Sequence, residues 1–243
     1  KVFFNSSYNL ETFHREAYKL LKSHSDHNEL ETIQTIRRKS EVLPLGLNLQ
    51  AFDKYIEQTR DSDPAPLVIW NHRWEHDKDP DTFTRLLLRL YEEGYVFRVA
   101  LMGEVPYGTP KAFEELRATL GERIVHFGYA EDFATYASLL AKGDLLPVTS
   151  DQDFFGGSTV EAIYCGCYPL LPNQLAYPEH LPRGETEVLY HSYEELIDKM
   201  RKAMDQISQL RKKNRQHWVA QYDWHFMSRQ YDDKLEQLAK GEW

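Results

Sequence analysis

"DLLPVTSDQDFFGGSTVEAIYCGCYPLL", residues Asp144–Leu171, joins a short apolar run, a polar loop, an amphipathic run and a second apolar run. Asp144–Val148 and Tyr168–Leu171 are of strand length. Ser158–Cys165 has the pattern of a buried helix, and Gly166 supplies its stop. Strand, helix and strand in such close succession form a βαβ unit, whose two strands lie parallel. The same alternation extends outward from this stretch. Further strands are expected at Val2–Phe4, Glu41–Leu43, Leu67–Trp70, Phe97–Met102, Arg123–Phe127 and Val188–Tyr190. Helices are expected at Leu10–Lys22, Glu29–Arg38, Asp81–Glu93, Pro110–Leu120, Glu131–Ala141, Tyr193–Met204, Ser208–Val219 and Trp224–Lys240. Ser192 with Glu195 reads as a capping box. The expected fold class is α/β, a doubly wound and mostly parallel sheet.

The chain has 243 residues, of which 42% are apolar, enough for one large domain or two small ones. Its net charge of -9 argues against the whole chain being a non-specific polyanion binder, since such affinity comes from many cation–phosphate contacts. No window approaches eighteen consecutive apolar residues, so no membrane partner is expected. Cys165 and Cys167 are too close for an ordinary bridge and lack a second pair for a zinc site. They read as small packed residues in a reducing setting, cytoplasmic or nuclear. No signal-peptide pattern follows Lys1, and an opening directly on the strand "KVFF" implies sequence upstream. Ser62-Asp63-Pro64-Ala65-Pro66 is the expected linker, because its two prolines fit neither a helix nor a central strand.

Open α/β sheets bind ligands at the carboxyl ends of their strands. After Leu67–Trp70 comes "NHRWEHDKDP", in which Arg73 and Lys78 suit a diphosphate or are two solvated cations. His72 and His76 have i,i+4 spacing but sit between a strand and Pro80, a poor setting for a metal. Gly103 and Gly128 each follow a strand directly, where backbone can approach a ligand, and Tyr129 follows Gly128. In the opening stretch, Gly156, Gly157 and Ser158 start a helix whose first amides suit an anion. Glu161 either caps that helix from Ser158 or serves a ligand. Asp153 is a turn residue or a ligand contact. No G-x-G-x-x-G follows any strand, which argues against a dinucleotide dehydrogenase. The densest basic run, Arg211–Arg215, is a solvated helix face or an RNA contact.

Together these pieces resemble the donor-binding half of a GT-B glycosyltransferase of family 4. "VLPLGLNLQAF" (Val42–Phe52) is similar to that family's P-N-G-(I/V)-D-x-x-x-F hinge. The Arg73–Lys78 loop resembles G-R-L-x-x-x-K-G, with Asn71-His72 in place of the usual glycine. "IVHFGYA" resembles the v-x-F-x-G strand. "DFFGGSTVEAIYCGCYPLL" resembles E-G-F-G-x-x-x-x-E-A-M-A-C-G-x-P-V-(I/V). "YDWHFMSRQYDDKL" resembles the last helix, which crosses back to the first domain. "WNHRWEHDKDP" with "DFFGGSTVEAIYCGCYPLLPN" looks closest to the tRNA-queuosine α-mannosyltransferases.

The resemblance implies a Rossmann-like C-terminal GT-B domain over residues 53–220. Residues 1–52 would be the last pieces of the acceptor domain with the hinge, and 221–243 the returning helix. It implies retaining transfer of mannose from GDP-mannose to queuosine in the anticodon of tRNA-Asp. Arg73 and Lys78 would hold the diphosphate and stabilise the leaving group, with Asp153 at the sugar as third catalytic residue. Asp153 is one methylene shorter than the family's glutamate. Glu161 would accept from the ribose hydroxyls, Gly156, Gly157, Ser158 and Thr159 would line the donor, and Gly128 and Tyr129 would border the base. No metal or other cofactor is implied. The tRNA would be held mainly by the rest of the acceptor domain, without which the chain is expected to be inactive. The alternatives are a family 4 enzyme with another donor and a non-RNA acceptor, or a non-catalytic nucleotide-binding module. A nucleotide-sugar epimerase fits less well, because the hinge and diphosphate loop follow the transferase pattern.

Overall fold

The computed structural model describes residues 1–24, 26, 28–58 and 63–241. Ser62 of the expected linker lies outside the described residues, and Asp63–Pro66 run directly into the main sheet. The chain opens with β1 (Val2–Phe4), α1 (Ser7–Lys22), α2 (Leu30–Lys39) and β2 (Ser40–Val42). α3 (Asp53–Gln58), β3 (Leu67–Trp70), α4 (Pro80–Glu92), β4 (Arg98–Met102), α5 (Lys111–Leu120) and β5 (Ile124–Gly128) follow. Then come α6 (Phe133–Lys142), β6 (Leu145–Pro147), α7 (Gly157–Tyr164), β7 (Tyr168–Pro172) and β8 (Leu189–Tyr190). The last elements are α8 (Tyr193–Asp205), α9 (Ile207–Leu210), α10 (Gln216–Val219) and α11 (Trp224–Ala239).

Six strands form one sheet in the order β5-β4-β3-β6-β7-β8, and every pairing is parallel. All four residues of β3 are buried, as expected of a strand covered on both faces. Leu67 and Ile69 face the layer containing α6, α7 and α10, while Val68 and Trp70 face α4, α5 and α8. This is the period-2 alternation of a strand. Each such fully buried large side chain contributes about 1.5–3 kcal/mol of transfer free energy.

The chain runs outward from β3 to β4 and β5, then crosses back to place β6 on the other side of β3. The strand order therefore reverses between β3 and β6. A crevice at the carboxyl ends of these two strands is where open α/β sheets take ligands.

At the opposite, amino end the same two strands are clamped. Asp144 Oδ2 accepts from the Leu67 amide at 2.8 Å. Both Asp144 oxygens take the Arg211 guanidinium, at 2.6 and 2.8 Å. Arg211 belongs to the basic run expected inside a helix over Ser208–Val219. The structure breaks that segment into α9 and α10. Between them, Arg215 turns inward, donates to the Leu210 and Lys213 carbonyls at 3.2 and 3.3 Å, and stacks on Tyr168 and Trp218.

β1 and β2 form a separate two-stranded parallel sheet. α1 starts at Ser7 rather than at Leu10, because Ser6 caps it by accepting from the Asn9 amide at 2.9 Å. The Ser7 and Tyr8 amides at its start donate to the Glu179 carboxylate at 2.9 and 2.8 Å, joining this unit to the main body. α11 returns to the same unit. Tyr231 donates to the Pro44 carbonyl at 3.1 Å, and Lys234 pairs with Glu41.

Candidate functional site

β3 ends on Trp70, whose indole donates to the His72 carbonyl at 2.9 Å and fixes the first turn of the following loop. Gly103, directly after β4, lies against that turn. A Cβ at Gly103 would sit 2.0 Å from the His72 carbonyl oxygen, and its φ is +136°. The close approach predicted from a glycine at this strand end is thus to a neighbouring loop. The loop after β3 ends at Asp79, which caps α4 by accepting from Thr82 at 2.9 Å, with Pro80 in the first helical turn.

The loops after β3 and β6 are laced together across the crevice. Thr149 donates to the Lys78 and Asp79 carbonyls at 2.9 and 3.0 Å. The Asp151 amide donates to the Asp77 carbonyl at 2.8 Å. Lys78 Nζ donates to the Gln152 carbonyl at 2.7 Å and reaches Asp153 Oδ2 at 3.4 Å and Asp77 Oδ2 at 3.2 Å. Lys78 is only 8% exposed, whereas the Arg73 side chain is 56% exposed and pairs with Glu75 at 2.9 Å. The two predicted cations therefore differ in kind. Lys78 is a positioned charge inside the crevice, and Arg73 is an exposed fork paired with Glu75. Asp153 is a turn residue that also faces Lys78. It closes its own turn through the Phe155 amide at 3.2 Å, and its other oxygen takes Lys78 and the Tyr177 hydroxyl, the latter at 3.2 Å.

α7 starts on Gly156, whose φ of +80° suits glycine, and a Cβ there would lie 2.9 Å from the Tyr177 ring. No side chain caps this helix. Ser158 Oγ meets His72 Nδ1 at 2.9 Å. Glu161 does not reach back to the helix start. Its Oε2 accepts from the Tyr136 hydroxyl at 2.6 Å. The capping-box alternative for Glu161 is thereby removed. Asn71 Nδ2 donates to Tyr136 at 3.2 Å and to the Ser158 carbonyl at 2.7 Å, tying β3, α6 and α7 together.

These environments set the charges. Burial raises the pKa of Glu161, and the Tyr136 hydrogen bond works against that rise. Burial, reinforced by the Glu161 carboxylate, holds Tyr136 well above its usual range, so it remains a donor. Burial first, and the Lys78 ammonium second, push His72 down to about 4, leaving it neutral near pH 7. Thr159 is fully buried, and its hydroxyl has no hydrogen-bond partner among the described residues. Gly128 ends the edge strand β5, and the Tyr129 ring beside it is exposed. His72 is buried and His76 exposed. Among the described residues, no group of three or more His, Cys, Asp or Glu could hold a metal ion.

Asn71, Tyr136 and Tyr177 carried no signal in the sequence. Each acts across a long separation, and a tyrosine in an amphipathic helix looks like core. A cavity of about 680 Å³ lies elsewhere, between the amino end of β7 and α8, lined by Tyr168, Lys202, Arg215 and Trp218 among others. It contains none of the predicted site residues, and its mixed charges give it no evident ligand. No helix among the described residues is long and apolar enough to cross a membrane.

Residues 51–220 match the family model described as glycosyl transferases group 1. The chain belongs to that family. Residues 1–47 of this group 1 glycosyl transferase match a second model, described as tRNA-queuosine alpha-mannosyltransferase N-terminal. A tRNA-queuosine alpha-mannosyltransferase of Drosophila melanogaster is 34% identical over 205 residues, covering 82% of the chain. The chain spans about half, 53%, of that relative's length. Among solved structures, Anabaena Alr3699/HepE in complex with UDP and glucose matches with a TM-score of 0.69 at 19% identity, over 97% of this chain and 62% of that one. A glycosyltransferase from Rickettsia africae matches with a TM-score of 0.70 at 17% identity, over 99% of this chain and 64% of that one. These likenesses establish the GT-B fold.

Proposed function

We propose that this chain is the donor-binding part of a retaining mannosyltransferase that moves mannose from GDP-mannose to queuosine in the anticodon of tRNA-Asp. The observation that carries this reading is the buried Lys78 ammonium in the crevice where the strand order reverses. It is held beside Asp153 by two loops laced together. In this reading the diphosphate lies between Lys78 and the first amides of α7, with Arg73 closing over it from the rim. As the sugar–phosphate bond breaks, negative charge grows on the departing diphosphate. Lys78, Arg73 and the α7 amides stabilise that charge with little reorganisation, because most of them are already in place. The proposal gives this task to the two cations and to no metal ion. Glu161 takes the ribose hydroxyls, Asp153 lies at the sugar, and Tyr129 flanks the base.

Residues 1–52 are read as the end of the acceptor domain with its hinge, 53–220 as the donor domain and 221–243 as the helix joining them. The queuosine acceptor rests on the Drosophila relative and on the model matched by residues 1–47. The test is a transfer assay with the full-length protein, queuosine-containing tRNA-Asp and several nucleotide sugars. Mannose incorporation from GDP-mannose, lost when queuosine is replaced by guanosine, is expected. Transfer from a UDP-sugar to a non-RNA acceptor would replace this reading with another group 1 activity.

A further inference from the structure

We infer that Tyr136 is a positioning residue of this site, whose hydroxyl holds the Glu161 carboxylate in the orientation that receives a vicinal diol. The diol in question is the ribose of a nucleoside diphosphate, so the inference rests on the nucleotide-binding reading above.

The hydrogen-bond directions are fixed by chemistry. A tyrosine hydroxyl has one proton to give. Asn71 Nδ2 can only donate, and it occupies an acceptor position on Tyr136 at 3.2 Å. The phenol proton is therefore committed to Glu161 Oε2 at 2.6 Å. Asn71 is in turn anchored to the Ser158 carbonyl at 2.7 Å, so it cannot drift from the phenol without breaking a second bond. The Tyr136 ring packs edge-on against Phe52, with centroids 6.1 Å apart, and this sets the height of its hydroxyl above α6.

The Glu161 carboxylate makes no other hydrogen bond among the described residues, which leaves its second oxygen for an incoming donor. A free glutamate side chain samples several rotamers. One that is held loses that entropy before the ligand arrives, and its affinity for the ligand rises accordingly. Nearby polar groups are Asn71 after β3, which reaches Tyr136, and the buried Cys165 thiol at the end of α7. Neither donates to the carboxylate. Tyr136 is thus the sole protein group among the described residues that both orients Glu161 and favours its ionised form.

The test compares Tyr136→Phe with the wild type in calorimetric titrations of GDP, of a GDP analogue lacking both ribose hydroxyls, and of inorganic pyrophosphate, with melting temperatures alongside. GDP affinity is expected to fall by up to about tenfold, the upper end of what ordering one flexible side chain on binding costs. Pyrophosphate affinity should stay unchanged, the melting temperature should fall as one buried hydrogen bond to a carboxylate is lost, and the penalty for removing the ribose hydroxyls should shrink. Without the phenol, Glu161 protonates at a higher pH, so GDP binding by the variant should weaken at a higher pH on acidification than that of the wild type. Equal GDP affinity in the two proteins, or an equal loss for pyrophosphate, overturns the positioning role alone. A wild type that binds no GDP overturns the nucleotide reading and this inference with it.

Discussion

The two ends of the same strand pair spend their charges differently. At the amino ends of β3 and β6, Arg211 is taken up by both oxygens of Asp144, which also holds the Leu67 amide. Four residues on, Arg215 is buried under Tyr168 and Trp218. At the carboxyl ends, Lys78 is also buried but is held at closest range by the Gln152 backbone carbonyl, with longer contacts to the Asp77 and Asp153 carboxylates, and Arg73 is exposed. The basic run looks the richer in charge, yet its two arginines are structural. The sparser loop after β3 keeps a positioned cation where the sheet topology opens a crevice. Local charge density is therefore a poor guide to an anion site, and the position of a cation on the sheet is a better one.

Substitutions at the two ends should break stability at one and binding at the other. The largest effect is expected from Asp144→Ala. It removes the carboxylate that takes both the Arg211 guanidinium and the Leu67 amide and should cost about 3 kcal/mol of stability. Denaturant titration would show this, with nucleotide affinity per folded molecule unchanged. Lys78→Ala should weaken diphosphate binding by about 1.5–3 kcal/mol, the range for a charge-assisted bond, as read by calorimetry. Glu161→Ala should lower nucleotide affinity with little change in melting temperature, because Gly156 and not Glu161 occupies the helix cap. A large loss of melting temperature with binding intact would make Glu161 structural and erase the contrast between the ends.

A pH series sharpens the contrast further. His72 titrates at about 4 in the folded chain against 6.5 in the unfolded one. Between those values the unfolded chain binds the extra proton, so this contribution to stability is complete above pH 6.5 and lost as pH falls toward 4. Denaturation midpoints should decline across that window, and His72→Gln should make the decline shallower. His14 and His180 have lowered pKa values as well and will leave part of the slope. The smallest effect is expected from Lys212→Ala with Lys213→Ala. These exposed lysines are what remains of the basic run, and replacing them should change stability by less than about 0.5 kcal/mol. GDP affinity should not change.

Much of this was legible in the sequence. β3 is four apolar residues in a row just after Pro64 and Pro66, and its shortness and flanking prolines favour a strand buried on both faces over a helix. The βαβ unit from Asp144 to Leu171 appears with its helix shifted by a single residue at each end. The positions of Lys78, Asp153, Gly156 and Glu161 follow once the strand ends are known. The parts that could not be read depend on tertiary proximity. Tyr136 reaches Glu161 from a neighbouring helix, and Asn71 bridges two elements after β3. The break between α9 and α10 arises because Arg215 finds two rings and two carbonyls in the folded core. A helical spacing pattern carries none of that information.

The central claim is that the crevice between β3 and β6 binds a nucleoside diphosphate through Lys78. Calorimetric titration of GDP into three proteins tests it most directly: the wild type, Lys78→Ala, and the Lys212→Ala/Lys213→Ala double variant. One-to-one binding by the wild type and the double variant, with a clear loss for Lys78→Ala, is the predicted result. No binding by the wild type, or a loss in the double variant that equals the loss in Lys78→Ala, would contradict it.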